Sequence, residues 1–318
     1  MNTLKAEKRS MDVKAKRLRR EGYVTGNVFG REIEGSIPVK MGKRDVERFM
    51  KTCTKGSQVM LDLEGQMMDV LVKEIDFDSM KNQVDEIDFH FTPPPVNNGT
   101  ARIMVLFGGR NWPGNKTLQT YRFDSLARKH NLILLSPSFR DRNYWDPEQW
   151  SGKTLKRAVA ELVKQYHLKP HKLYFYGYSA GGQCSALFYA WMSGQVAAWG
   201  SHACGVYPPE IRVSSAPALL TCGLEDAERL AISRFFLYRY REHGGKLIWK
   251  IYPGGHELTR EVLALARTWF DDLLSNKVIR SYGEDDTGRI VPASAEKSIE
   301  AEFRNPLYST ELQELWNK

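Results

Sequence analysis

The stretch KLYFYGYSAGG, Lys172–Gly182, decides how the second half of the chain is read. A run of aromatic and aliphatic residues ending at a glycine has the composition of a buried strand. The following AGGQCSALFYAWMSG has the length and apolar content of a helix. Gly177-Tyr178-Ser179-Ala180-Gly181 then falls on a strand-to-helix turn. Glycines on either side of the serine let the backbone and the helix approach closely, and the positive end of that helix lies beside Ser179. In a chain with 25 glycines a bare GxSxG pentapeptide arises by chance. A strand before it and a helix after it make Ser179 a candidate nucleophile.

Outward from this turn the chain alternates. ARIMVLFGG, NLILLSPS, APALLTCG and KLIWKIYPG read as near-continuously apolar strands, and AWGSHACGVYP as a strand or loop. Between them TLQTYRFDSLARKH, GKTLKRAVAELVKQYHL, DAERLAISRFFLYRYREHG and ELTREVLALARTWFDDLL have helical spacing. Apolar strands separated by amphipathic helices indicate a parallel sheet covered on both faces. Sites in such open sheets lie at the carboxyl ends of the strands.

A serine hydroxyl is a poor nucleophile at neutral pH. It needs a base within hydrogen-bond reach, and that base needs a carboxylate to orient it. Both follow in chain order. ALLTCGLEDAERL places Glu225 and Asp226 just beyond a strand, and KLIWKIYPGGHEL places His256 just beyond the last one. Asp226 stands in the Gly-x-x-Asp arrangement usual after this strand, with Glu225 as the alternative. The remaining histidines, His90, His130, His167, His171, His202 and His243, lack such placement and are expected on the surface or in packing. An oxyanion hole needs two N–H donors. The Ala180 amide supplies one, and Gly109 in FGGRNWPGN, after the first strand of this region, supplies the second. Arg110 beside it is either a solvated residue or a selector of anionic substrates. Tyr178, Tyr144 and Trp145 join it as candidate substrate contacts, the last two with Trp150 in SFRDRNYWDPEQW, where aromatic side chains equally suit a core.

On these residues, 101–276 resembles the α/β-hydrolase superfamily, closest to compact esterases of the feruloyl-esterase or polyester-depolymerase type. The resemblance implies a serine hydrolase that cleaves a carboxylic ester through an acyl-enzyme, with Ser179, His256 and Asp226 as its triad. Thioesterase, peptidase and acyltransferase chemistry stay open.

TPPPVNNGT, residues 92–100, ends the preceding region, because three consecutive prolines can neither continue a helix nor donate to a sheet ladder. Before it GSIPVKM, SQVMLDLEG, QMMDVLVKEIDF and VDEIDFHF alternate apolar and polar residues as antiparallel strands do, with a helix expected at KRDVERFMKT. The expectation is a two-domain chain: a small antiparallel β-barrel over 1–91, the linker, an α/β-hydrolase domain over 101–276, and a C-terminal tail over 277–318 with one short helix, STELQELW.

The net charge of +8 is concentrated at the start. Lys5, Lys8, Arg9, Lys14, Lys16, Arg17, Arg19 and Arg20 face only Glu7 and Asp12 within the first twenty residues. Clustered cations of this kind either stay solvated or neutralise phosphates. RLRREGYVTGNVFG, IPVKM, VLVKEIDFD and VDEIDFHF together resemble the family of 5S rRNA-binding proteins of the bacterial large ribosomal subunit, which includes the general stress protein Ctc. The resemblance implies a barrel that grips RNA with its basic arm and one face. Arg17, Arg19 and Phe29 fall in the arm and first strand, and Lys73, Glu86 and Asp88 on the late strands; Lys16 and Arg20 extend the candidate RNA contacts. Thr25, Phe29 and Glu86 depart from the proline, tyrosine and histidine common in that family.

Cys53, Cys184, Cys204 and Cys222 show no CxxC pairing, so neither a zinc site nor a disulfide framework is expected. The sequence carries no dinucleotide or Walker loop, and no cofactor is expected. The apolar runs are too short to span a membrane, and the charged N-terminus lacks a secretory apolar stretch; a cytoplasmic protein is expected. Two functions remain: a serine hydrolase with an accessory RNA- or partner-binding barrel, or an RNA-associated binding protein whose hydrolase domain is not catalytic.

Overall fold

The computed structural model describes residues 3–30, 33–49, 57–72, 88–140, 143–210 and 216–318. The chain divides into two compact units, Met1–Glu86 and Ile87–Lys318.

The first unit runs β1 (Thr3–Lys8), α1 (Ala15–Arg20), β2 (Tyr23–Gly30), β3 (Ile33–Gly42), α2 (Lys43–Phe49), β4 (Gln58–Leu63) and β5 (Gln66–Leu71). Its sheet has the order β2-β3-β1-β4-β5. The period-2 pattern works as expected: Val59, Leu61 and Leu63 of β4 turn inward with Leu4 and Ala6, and α2 covers them with Val46 and Phe49. The expected all-antiparallel barrel is corrected in one respect. β1 pairs with β4 in parallel, Thr3 opposite Met60. The helix α2 turns the chain back after β3, so β4 enters in the direction of β1. Among the described residues the sheet is mixed and open, with β2 and β5 at its edges. Lys73, Glu86, Cys53 and most of the expected late strands lie outside the described residues.

The second unit begins earlier than the proline run suggests. Phe89–Phe91, read above as the end of a barrel strand, forms β6, which pairs antiparallel with β8 of this unit. Then follow β7 (Arg102–Phe107), α3 (Gly114–Tyr121), α4 (Asp124–His130), β8 (Leu132–Pro137), α5 (Gly152–Gln165), β9 (Leu173–Tyr178), α6 (Ala180–Trp191), β10 (Val196–His202), β11 (Ala218–Gly223), α7 (Ala227–Glu242), β12 (Leu247–Tyr252) and α8 (Arg260–Leu274). They build a seven-stranded sheet of order β12-β11-β10-β9-β7-β8-β6, parallel except for β6. Apolar residues fill both faces. Ile103, Val105 and Phe107 of β7 join Ile133, Leu135 and Phe175 in one core, while Met104 and Leu106 join Leu132, Leu134 and Tyr176 in the other. Strand alternation thus serves two cores at once, which is why the strands read as unbroken apolar runs.

Residues 277–318 pack onto the second unit. They form β13 (Ser281–Glu284), β14 (Ile290–Pro292), β15 (Arg304–Leu307) and α9 (Thr310–Asn317), with a three-stranded antiparallel sheet of order β14-β13-β15. This extension covers the edge strand β12. The Asn305 side chain accepts from Trp249 N–H at 2.6 Å, and the Trp316 indole N–H donates to Trp249 C=O at 2.9 Å. Side chains therefore satisfy ladder groups that an uncovered edge would leave open. Buried Arg241 pairs with Asp285 and donates to Asn305 at 2.8 Å, and Ser309 donates to buried Asp272 at 2.6 Å.

Among the described residues no helix is long and apolar enough to cross a membrane, and no group of three or more His, Cys, Asp or Glu residues could hold a metal ion.

Candidate active site

The turn between β9 and α6 is built by its glycines. A side chain on Gly177 would strike the Gly181 carbonyl, and one on Gly181 would strike the carbonyls of Phe107 and Gly108. Their absence lets the start of α6 sit directly on the end of β7. Ser179, between strand and helix, is held at φ 57° and ψ −121°, a left-handed conformation unusual for a residue with a side chain. Its backbone N–H donates to His202 C=O at 2.9 Å.

The three side chains expected to act together meet at the carboxyl ends of β9, β11 and β12. His256 Nε2 lies 2.8 Å from Ser179 Oγ, and His256 Nδ1 lies 2.6 Å from Asp226 Oδ2. With its proton on Nδ1, the imidazole donates to the carboxylate and accepts from the serine hydroxyl. Asp226 is buried, and its other oxygen accepts from Arg229 at 3.0 Å. Glu225 is exposed, and only its backbone is engaged, donating to Gly254 C=O at 2.9 Å.

Ala180 is the first residue of α6, so its N–H is among those the helix leaves without an internal partner. The close seat of Gly181 on Phe107 and Gly108 brings Gly109 next to this end of the helix. The loop after β7 is shaped by a Trp112 N–H to Gly109 C=O bond at 3.0 Å and by Asn111 at φ 58°. Asn111 N–H in turn donates to the Tyr144 hydroxyl at 3.3 Å.

The candidate substrate contacts divide. Tyr144 is buried against Phe139 and Trp145, and burial pushes its hydroxyl up to about 12; it supports the loop instead of lining a surface. Arg110 is exposed, with its guanidinium over the Trp145 ring, 5.9 Å from the centroid. Trp150 is half-buried against the core. Tyr178 donates its hydroxyl to His256 C=O at 2.8 Å, and its ring faces those of His256 and His202. A groove of about 670 Å³ lined by Leu155, Val159, Leu173 and Met192 opens at the other end of β9 and includes none of these residues.

Two site residues escaped the sequence reading. His202, grouped above with surface or packing histidines, is buried beside His256, bonded through Nδ1 to Thr221 Oγ1 at 2.9 Å and through Nε2 to Glu257 C=O at 2.6 Å. Burial lowers its basicity to about 4. Arg229 was the other. The available signal was position, since His202 ends a strand of the parallel sheet, where sites form. Cys184, Cys204 and Cys222 are free and buried.

In the first unit Arg17, Arg19 and Arg20 lie on the short helix α1 with Lys16, and Arg17 is exposed and bonded to Glu21 at 2.9 Å. Phe29 on β2 is exposed, whereas Asp88, expected on a late strand of this unit, belongs to the second unit, where its backbone carbonyl accepts from Ser138 N–H at 2.7 Å.

Residues 4–89 match the model of the Ribosomal L25p family. Over 92 residues the chain is 29% identical to the large ribosomal subunit protein bL25 of Bacillus velezensis, covering 28% of this chain and 45% of that protein. Over 91 residues it is 30% identical to the bL25 of Bacillus licheniformis, covering 28% and 43%. The chain thus spans less than half the length of these relatives. Among solved structures, an S-formylglutathione hydrolase from Agrobacterium tumefaciens superposes with a TM-score of 0.50 at 12% identity, covering 70% of this chain and 95% of that one. The chain joins a segment similar to the Ribosomal L25p family to a unit with the α/β-hydrolase fold.

Proposed function

We propose that the protein is a serine hydrolase acting on a carboxylic ester. The observation that carries this reading is the unbroken chain of short hydrogen bonds from Ser179 through His256 to Asp226, with the serine held in a left-handed turn at a helix N-terminus. In this reading His256 Nε2 takes the hydroxyl proton as Ser179 Oγ bonds to the ester carbonyl carbon. The tetrahedral oxyanion accepts from the N–H groups of Ala180 and Gly109. As the intermediate collapses the ester C–O bond breaks, and His256 returns its proton to the departing alkoxide. Water, deprotonated by the same imidazole, then releases the acid from the acyl-enzyme. Asp226 holds the Nδ1–H tautomer throughout, and Arg229 keeps the carboxylate oriented. Arg110 over Trp145 forms an exposed wall on the oxyanion side suited to a substrate carrying negative charge.

The first unit acts as an accessory binding element. Its match to the Ribosomal L25p family supports contact with RNA through Lys16, Arg17, Arg19, Arg20 and Lys73, and a protein acting on RNA in this way would work in the cytoplasm. The same match supports the second reading, an RNA-associated protein whose hydrolase unit does not turn over substrate.

Intact-mass analysis after treatment with a fluorophosphonate separates the two. One adduct on the wild-type protein, absent from Ser179→Ala and His256→Ala, is expected for the hydrolase; a folded wild-type protein that stays unlabelled overturns it.

A further inference from the structure

Two rings at the ends of β9 and β10 have no part in the reaction just described, yet both reach the loop that carries His256. Tyr178 and His202 are register partners across β9 and β10, and their rings stack with centroids 5.7 Å apart and planes 24° from parallel. The Tyr178 hydroxyl donates to His256 C=O at 2.8 Å, and His202 Nε2 donates to the next carbonyl, that of Glu257, at 2.6 Å. Consecutive carbonyls of one loop are thus held by consecutive strands of the sheet.

The loop needs such anchors. Between β12 and α8 it contains Gly254, at φ 94°, and Gly255, next to which a side chain would meet nothing within 4 Å. Neither glycine restrains its own backbone. The His256 imidazole is about one-third exposed, so packing alone does not fix it either. The nucleophile is tied to the same point, because Ser179 N–H donates to the carbonyl of His202. His202 therefore grips the nucleophile turn with its backbone and the base loop with its ring.

The proton arrangement is determined by the partners. A carbonyl faces Nε2, so that nitrogen carries the hydrogen, and Nδ1 accepts from the Thr221 hydroxyl. Burial keeps the ring neutral in this tautomer down to mildly acidic pH.

We propose that His202 is a positioning residue: with Tyr178 it clasps the carbonyls of Glu257 and His256, so that His256 meets Ser179 before substrate arrives. This rests on the serine-hydrolase reading of the same site. Displacing a catalytic group by about 1 Å typically costs on the order of 100-fold in rate, which sets the scale of the effect.

The test compares His202→Leu, His202→Gln and Tyr178→Phe with wild type. Glutamine retains an N–H donor at the reach of Nε2, whereas leucine fills the space without one. The measurements are the rate of fluorophosphonate adduct formation, kcat and KM on a short-chain p-nitrophenyl ester, the thermal midpoint, and the low-field NMR resonance of the proton between His256 and Asp226. His202→Leu is expected to lose about 10- to 100-fold in kcat and adduct rate, with KM within about threefold. His202→Gln should recover most of that loss, and Tyr178→Phe should fall in between. Full activity in His202→Leu overturns the proposal, as does an equal loss in both His202 variants that follows their thermal midpoints. If His202→Leu does not fold, the contrast of Tyr178→Phe and His202→Gln with wild type decides, and wild-type rates in Tyr178→Phe overturn the clasp. An unlabelled wild type defeats the hydrolase reading separately; the clasp is then read from the low-field resonance, lost in His202→Leu and kept in His202→Gln if it holds, and unchanged in both if it does not.

Discussion

Asp226 Oδ2 lies 2.6 Å from His256 Nδ1, whereas the carboxylate of its chain neighbour Glu225 is exposed. The two acids therefore make opposite predictions. An amide at 226 would offer its NH₂ to Nδ1 and favour the tautomer that cannot accept the serine proton. Asp226→Asn is expected to lower kcat by about 10⁴-fold, and Glu225→Gln to leave it within about twofold of wild type. Steady-state kinetics on a short acyl ester reads both, and a large loss in Glu225→Gln alone would reassign the acid.

Gly181 is where α6 meets the end of β7. A methyl group there would overlap the backbone carbonyls of Phe107 and Gly108, atoms that cannot rotate away. Gly181→Ala is expected to move the helix off the strand and separate the Ala180 and Gly109 amides. A loss of about 100-fold or more in adduct rate follows if one oxyanion donor is displaced. Gly194→Ala, where nothing lies within 4 Å, is the matched control. Equal adduct rates in the two variants would show that the close approach is not needed.

What the sequence made legible was whatever depends on local pattern. Unbroken apolar runs marked the sheet because each strand feeds two cores, Ile103 and Val105 on one face and Met104 and Leu106 on the other. Ser179, Asp226 and His256 stood out because each lies just beyond the carboxyl end of a strand. The rest depends on partners remote in sequence. His202 gains its place only through Glu257 and Thr221, and Tyr144, for which pattern left pocket and core equally open, holds Asn111 from within the core. Residues 277–318 lack a sustained period because single polar residues such as Asn305 and Ser309 fasten them, and polar staples leave no periodic trace. The direction of β4 beside β1 is set by a helix between them, beyond what alternation within a strand can record.

The buried histidine makes a pH prediction. The ring's pKa is about 4 in the fold, against an ordinary value of 6.5, with desolvation the main cause; the nearby charge of His256 lowers it further, while Asp226 and the hydrogen bonds to Glu257 and Thr221 oppose the shift. The unfolded chain thus takes up a proton at higher pH than the folded one. The stability linked to His202 is present above pH 6.5 and is lost as the pH falls from there towards 4. At about 1.4 kcal/mol per pKa unit this amounts to roughly 3 kcal/mol. His202→Gln removes the titration, so urea midpoints of wild type should fall relative to the variant between pH 7 and pH 4. Parallel curves would show that the ring titrates at the same pH folded and unfolded, so that burial does not lower its basicity.

The C-terminal extension yields the last prediction. Asn305 Oδ1 accepts from Trp249 N–H and from Arg241 Nη2, and its Nδ2 donates to Gly283 C=O at 3.3 Å and to Asp285. Leucine keeps the branched shape of the side chain, with methyl groups in place of its oxygen and NH₂, and leaves these buried groups without their partner; an unsatisfied buried donor costs about 1–3 kcal/mol, more beside a charge. Asn305→Leu is therefore expected to lose roughly 2–4 kcal/mol, lowering the thermal midpoint by about 5–15 °C in a unit of this size. The adduct rate of the folded fraction at 25 °C should stay near wild type, because Asn305 touches the middle of β12 and the reacting groups lie beyond its carboxyl end. Thr310→Ala provides the comparison: its hydroxyl accepts only from exposed Arg280, at 3.2 Å, so its loss should be small. Deletion of residues 277–318 should be more severe than Asn305→Leu, since it also removes the Trp316 bond and bares the edge of β12 to pairing with other chains. A deletion variant that elutes as the wild type does in size-exclusion chromatography and keeps the wild-type midpoint would show that the extension does not protect that edge.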